Sequence, residues 1–346
     1  GKDIEVDKVE VVWPNGKTNV FENISANTQL TAKYSKAVTI AKESEKPPLL
    51  LAEVKSTDLG IGFSHKENDF DEYQDEILLP HNVSQNGPFT AVADVNGDKL
   101  DDLFIGGALG QSGVLYIQLE NGNFKESKSQ PWLQDKASED LGTLFLDVDG
   151  DNDLDLYVTS GGSEYKRGNS LLKDRLYLNN GTREFAKSEA ALPNIYESSQ
   201  CVEASDIDND GDLDIFVGTR LVSRKYGFPA SSYLLINENG VFRKASKEIA
   251  SSLENIGMVT DAVFTDIDND KDDDLIVVGE WMVIEVLTNE DGKFINNSEK
   301  LGLKDSRGIW WSITANDLDN DGDEDYIIGN LGLNNKFKAS EKHPFK

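Results

Sequence analysis

In 346 residues the sequence holds one cysteine, two methionines and three histidines, and only 34 Lys and Arg against 63 Asp and Glu. A lone thiol, Cys201, cannot close an internal disulfide and reads as a small buried hydrophobe. The formal net charge of −29 repels nucleic acid and anionic membrane surfaces, so neither is expected as a partner, and it points to cations instead. No stretch approaches 18 consecutive apolar residues, and no basic segment leads into an apolar one at the start, so no membrane-inserted helix or leader is expected within it. The chain opens in strand pattern as GKDIEVDKVEVVW, without Met. The expectation is a monomeric module of a longer protein whose targeting segment lies outside it.

What the chain has in excess is aspartate, and it comes in repeats. Five acidic stretches begin at Asp94, Asp147, Asp206, Asp266 and Asp317, spaced 51 to 60 residues apart. Each follows a short alternating segment and runs into β-branched or aromatic residues, so each acidic loop is expected between two strands. Four are followed by a further strand and a turn carrying Asn-Gly or Asp-Gly, as in VLYIQLENGNF and IEVLTNEDGKF. The unit is then a small antiparallel sheet of about four strands, the blade of a β-propeller. A lone blade cannot bury both faces, so the blades must stack.

Within each loop the oxygen-bearing side chains fall at positions 1, 3, 5 and 9. These are Asp94, Asn96, Asp98 and Asp102; Asp147, Asp149, Asp151 and Asp155; Asp206, Asp208, Asp210 and Asp214; Asp266, Asp268, Asp270 and Asp274; and Asp317, Asp319, Asp321 and Asp325. Converging carboxylates about 4 to 5 Å apart repel one another by a few kcal/mol per pair, and a hard cation removes that cost. Calcium, with six to eight oxygens in flexible geometry, fits better than magnesium. An EF-hand would place a bidentate Glu at position 12, where this chain has Ile105, Val158, Val217, Val277 and Ile328. The carboxylate at position 9 must close the site instead. Position 6 carries a sharp turn that suits Gly211, Gly322 and Asn152 better than Lys99 or Lys271, so the loops from Asp94 and Asp266 are expected to be distorted.

These loops resemble the FG-GAP, or VCBS, repeats of integrin-α-type propellers over roughly residues 50–346. The resemblance implies an all-β propeller of four-stranded antiparallel blades, with calcium bound through positions 1, 3, 5 and 9. It also implies a ligand from the carbonyl of position 7, here Leu100, Asp153, Asp212, Asp272 and Asp323. Residues 1–46, with VEVVWPNGKTNVFENISANTQLTAKY ahead of a linker at AKESEKPPLL, are similar to the UnbV (ASPIC) segment that accompanies such propellers. The propeller is then expected over 47–346 as an incomplete ring, since about 300 residues at about 55 per blade give five to six blades where the family usually closes with seven.

Two connections are long, TSGGSEYKRGNSLLKD (159–174) and GTRLVSRKYGFPASS (218–232). They put Arg167, Arg220, Arg224 and Tyr226 on loops, where cations beside aromatics suit a carboxylate or sugar ligand. His65, Asp69, Asp71 and His81 match no ligand spacing and read as surface or capping groups. The expected function is a non-catalytic, calcium-binding propeller outside the cytoplasm, at a cell surface, secreted or periplasmic, binding a surface protein or glycan. The alternatives are a polysaccharide lyase-like carbohydrate-active enzyme, which needs an acid/base set at the central funnel, and a purely structural spacer.

Overall fold

The computed structural model describes residues 4–39, 51–77 and 79–332, with positions 334 and 338. The expected linker, at 41–50, lies outside the described residues. The chain divides into two compact units, Gly1–Val54 and Lys55–Lys346.

In the first unit, β1 (Glu5–Val12) and β2 (Thr18–Ser25) form an antiparallel hairpin with Val12 opposite Thr18. The Pro14-Asn15-Gly16 turn joins them, with Gly16 at φ 81°. Trp13 packs edge-on against Tyr34 at 5.4 Å and donates from Nε1 to Asn19 Oδ1 at 2.8 Å.

The second unit is built from successive antiparallel sheets. The first contains β3 (Thr90–Ala93), β4 (Asp102–Ile105), β5 (Val114–Gln118) and β6 (Phe124–Ser127). The second contains β7 (Asp140–Leu146), β8 (Asp155–Ser160), β9 (Arg175–Asn179) and β10 (Phe185–Lys187). The third contains β11 (Ser198–Ser205), β12 (Asp214–Leu221), β13 (Tyr233–Asn237) and β14 (Phe242–Lys244). The fourth contains β15 (Met258–Thr265), β16 (Asp274–Met282), β17 (Glu285–Asn289) and β18 (Phe294–Asn296). Two last strands, β19 (Gly308–Asn316) and β20 (Asp325–Asn330), pair with each other, and β19 also pairs with β16 at Glu280↔Ile309 and Met282↔Gly308. The described residues therefore hold four complete propeller blades and the first two strands of a fifth. No described helix is long and apolar enough to cross a membrane.

Side chains alternate across a strand, so a blade between two others must be apolar on both faces. The second strands show the result: β8 and β12 are buried along their whole length. In β12, Phe216 joins Leu275, Val277 and Leu287 of the fourth blade, whereas Ile215 and Val217 join Leu146, Tyr157 and Leu176 of the second. A third cluster, around Phe104, Leu115, Trp132 and Tyr177, binds the first blade to the second. The core is thus a series of apolar layers between blades. The first strands β3, β7, β11, β15 and β19 are neighbours in turn. They line a central cavity of about 320 Å³ with Thr90, Thr143, Gln200, Asp261 and Ser312.

A second device repeats with the blades. Asn179, Asn237 and Asn289 end the third strands β9, β13 and β17, and each donates its side-chain amide to a main-chain carbonyl in the acidic loop of the preceding blade. The acceptors are Val95 O at 2.8 Å, Val148 O at 2.8 Å and Ile207 O at 2.9 Å. The main-chain N–H of the same three residues donates to the position-9 aspartate of their own loop, Asp155, Asp214 or Asp274, at 2.7 to 2.8 Å. Each asparagine therefore fastens its own loop and its neighbour's together. In the first blade Gln118 stands at this place; its N–H reaches Asp102 Oδ1 at 2.8 Å.

Candidate metal centres

Each acidic loop joins the first strand of a blade to the second, and its position-9 aspartate is the opening residue of β4, β8, β12, β16 or β20. The loop is shaped by its first aspartate, which accepts hydrogen bonds from main-chain N–H groups ahead of it. Asp206 takes those of Asp210 and Gly211, each at 3.0 Å, and Asp266 takes those of Asp270 at 3.1 Å and Lys271 at 3.0 Å. The chain turns through the left-handed region twice in each loop, at position 4 (Gly97, Gly150, Asn209, Asn269, Asn320) and at position 6 (Lys99, Asn152, Gly211, Lys271, Gly322). Glycine and asparagine meet that demand at little steric cost, whereas Lys99 at φ 68° and Lys271 at φ 81° meet it against their preference.

Four loops bring three carboxylates together. Oxygens of Asp147, Asp149 and Asp155 lie within 4.8 Å of one another, as do those of Asp206, Asp208 and Asp210, of Asp266, Asp268 and Asp274, and of Asp317, Asp319 and Asp325. That span is what one ion with metal–oxygen distances of about 2.3 to 2.6 Å bridges. The loop from Asp266 gathers its set despite Lys271. The loop from Asp94 differs: Asn96 turns its amide Nδ2 onto Asp102 Oδ2 at 2.9 Å, placing a donor where the others place an acceptor. Other predicted side chains also shape their loops. Asp98, Asp151, Asp270 and Asp321 accept the position-7 N–H of their loops at 2.9 to 3.0 Å. Asp212 Oδ2 accepts the Asn239 N–H at 3.1 Å and Asp272 Oδ1 accepts Asn209 Nδ2 at 3.0 Å, so the side chains of these two position-7 residues are turned to neighbouring groups.

The electrostatics match the geometry. Burial pushes the position-9 carboxyls of Asp102, Asp155, Asp214 and Asp274 upward, and the loop's own charges add to it. Asp155 and Asp214 are each raised to about 7, against the hydrogen bonds they accept from Asn179 and Asn237. Asp149 and Asp208 are raised by burial and then by Asp151 and Asp210 respectively. Sites that hold so many carboxylates at a cost to their ionised forms are suited to a metal ion, which reverses the sign of the local potential. The Asp-rich clusters of the repeats have the oxygen donors and spacing to hold one.

The proposed ligand-binding residues sit at the opposite end of the blades and need correction. Arg220 is not on a loop, because β12 runs on to Leu221, and it is 1% exposed. Its Nε donates to Glu280 Oε1 at 2.7 Å, Nη2 meets His81 Nε2 at 2.9 Å, and its guanidinium lies 4.7 Å over the Trp311 ring. Tyr226, partly buried, joins this group by donating to Glu280 Oε2 at 2.5 Å and accepting from Trp281 Nε1 at 2.9 Å. Arg220 is thus held in a buried ion pair rather than presented on a loop. Arg167 is exposed and paired with Glu197 at 2.7 Å, and Arg224 pairs with Asp75 at 3.1 Å. Asp71 caps a short helical turn by accepting the Tyr73 N–H at 3.2 Å. Sequence reasoning missed a carboxylate pair in the central cavity, Glu203 and Asp261. Burial and then Asp261 push the Glu203 carboxyl to about 8. Its signal was an acidic residue at an inner position of a first strand.

No curated protein matches the chain. Among solved structures, the V. cholerae biofilm matrix protein Bap1 is similar at 13% identity and a TM-score of 0.37, over 70% of this chain and 34% of Bap1, so this chain spans about a third of that protein. Residues 1–39 match the ASPIC and UnbV family. Residues 94–158, 147–217 and 266–328, which contain all five acidic loops and together make up more than half of the chain, match the FG-GAP-like repeat. Blade order, loop position and these matches agree, and the chain belongs to the FG-GAP-like repeat family.

Proposed function

We propose that this chain is a non-catalytic propeller whose acidic loops are filled by calcium, working outside the cytoplasm in adhesion or in binding a surface protein or glycan. The observation that carries this reading is the gathering of three carboxylates in each of four loops. Loops of the extracellular class, with Kd of about 10⁻⁴ to 10⁻³ M, fill at millimolar calcium and stay empty at resting cytosolic levels. Calcium here fixes the scaffold, and recognition belongs to the connections it holds in place. Calorimetric titration with calcium at pH 7.5 is expected to give at least four equivalents in that range. Fewer than two equivalents, or a preference for magnesium, would refute it.

The Glu203–Asp261 pair supports a second reading, a carbohydrate-active enzyme. A carboxyl raised to about 8 beside a second one has the protonation behaviour of a general acid. Incubation with acidic polysaccharides distinguishes the two readings. New reducing or unsaturated ends that vanish in Glu203→Gln establish the enzyme, and their absence leaves the binding module.

A further inference from the structure

At the end of the blades opposite the acidic loops, a second group of carboxylates is buried. Glu139 directly precedes β7 and is 3% exposed, yet neither of its carboxylate oxygens has a hydrogen-bond partner in the protein. Glu164, on the β8–β9 connection, faces the same space. A Cβ placed on Gly162, at φ +83°, would stand 2.5 Å from Glu164 Oε2 and 2.7 Å from Glu139 Oε2. The two oxygens thus close on a backbone that glycine keeps bare. Glu164 is held in position by Asn68 Nδ2, which donates to Oε1 at 3.1 Å, and by the Ser163 N–H, which donates to Oε2 at 3.0 Å. The other end of that amide, Asn68 Oδ1, is buried without a partner, and so is Glu67 Oε2. His65 Nε2 fixes Glu67 through Oε1 at 2.7 Å and leaves its own Nδ1 unpartnered. Arg224 Nη2 donates to the Glu164 main-chain carbonyl at 3.3 Å, but its charge is paired with Asp75.

The four unpartnered oxygens here are all acceptors, and buried acceptors are normally satisfied. Water, a proton or a cation can relieve them, and of these the cation also offsets the negative charge of the neighbouring carboxylates. Burial, then the charges of Glu164 and Glu67, push the Glu139 carboxyl up to about 10. A proton on Glu139, donated to Glu164, serves one Glu139 oxygen and leaves its other oxygen, Asn68 Oδ1 and Glu67 Oε2 as they were. A hard cation, with its six to eight oxygen ligands, serves them together. We propose that Glu139, Glu164 and Asn68 Oδ1, with Glu67 adding charge, bind a hard divalent cation of the calcium class, at a site separate from the acidic loops. An all-oxygen donor set of two carboxylates and an amide suits calcium and disfavours zinc or copper. An ion there ties the segment at Glu67 and Asn68, ahead of the first blade, to the second blade.

The test is a crystal of the whole chain grown in about 5 mM calcium, a concentration that fills weak extracellular-type sites, with anomalous difference maps at long wavelength. A peak within coordination distance of Glu139 and Glu164 is expected in addition to those at the loops. Peaks at the loops with only solvent, or a direct carboxyl–carboxyl hydrogen bond, beside Glu139 overturn this inference and leave the loop reading standing. Melting of Glu139→Gln gives an independent check, because glutamine mimics the protonated acid. If the cation is bound, the calcium-dependent rise in Tm shrinks in the variant while most of the loop contribution remains. A variant with an undiminished calcium response means that Glu139 holds only a proton.

Discussion

Chelation at pH 7.5 is expected to lower the melting temperature by about 10 °C or more, and added calcium to restore it. At about 5 mM calcium, a loop with Kd of ~10⁻³ M contributes about 1 kcal/mol to the folded state through mass action. Four such loops contribute about 4 kcal/mol, and a domain of this size gains roughly 2 to 4 °C for each. The effect should depend on pH in a direction set by the loop carboxyls. Without calcium, folded Asp155 and Asp214 titrate near 7, above the ordinary value of 3.8, so the folded state holds protons that the unfolded chain has released. Their contribution is fully present below about pH 4 and is lost as pH rises through 7. Calcium needs the ionised forms, so its increment grows over the same window. The gap in Tm between calcium and EDTA should widen from pH 5 to pH 8. A gap under about 2 °C at pH 7.5, far below the ~4 kcal/mol above, would remove calcium from the account.

Arg220→Ala is expected to destabilise the propeller by about 3 to 5 kcal/mol, because it leaves the Glu280 carboxylate buried without its cation. Burial alone would raise the Glu280 carboxyl, but Arg220, and then His81 and Tyr226 through hydrogen bonds, outweigh it and hold it at about 2. The sign follows: this stabilisation is present above about pH 4.5 and is lost as pH falls through 2. Replacing the pair together, as Arg220→Met with Glu280→Leu, should recover most of the loss, since two apolar side chains leave no orphaned charge. Urea unfolding of the three proteins measures both effects. A single variant within ~1 kcal/mol of the parent would show that the pair is solvated, in the range of an exposed ion pair.

The loops were legible because their information is local. Five repetitions of the 1, 3, 5, 9 spacing, with apolar residues at position 12, were enough to place strands on both sides. The alternating Asp and Asn also carried a feature that was not read, since position 4 is Gly97, Gly150, Asn209, Asn269 and Asn320, and all five adopt positive φ. Arg220 was misplaced for a different reason. An arginine six residues after the last aspartate of a metal loop, Asp214, looks like the start of a connection, and its partner Glu280 lies 60 residues away in the next blade's second strand. Pairing across blades leaves no periodic trace in a single sequence. The asparagines at 179, 237 and 289 did leave one, at the end of every third strand from the second blade on. Their purpose became visible only when the acceptor carbonyls of the neighbouring loops were placed opposite them. Gln118, in the first blade, has no earlier acidic loop in this sequence to reach, which fits the interruption of the pattern there.

Those asparagine amides give the propeller a direction. Each donor belongs to a later stretch of chain than the carbonyl that receives it, so during synthesis the dock is built before the part that moors to it. On the ribosome each acceptor carbonyl therefore emerges ahead of the amide that will reach it, in the second, third and fourth blades alike.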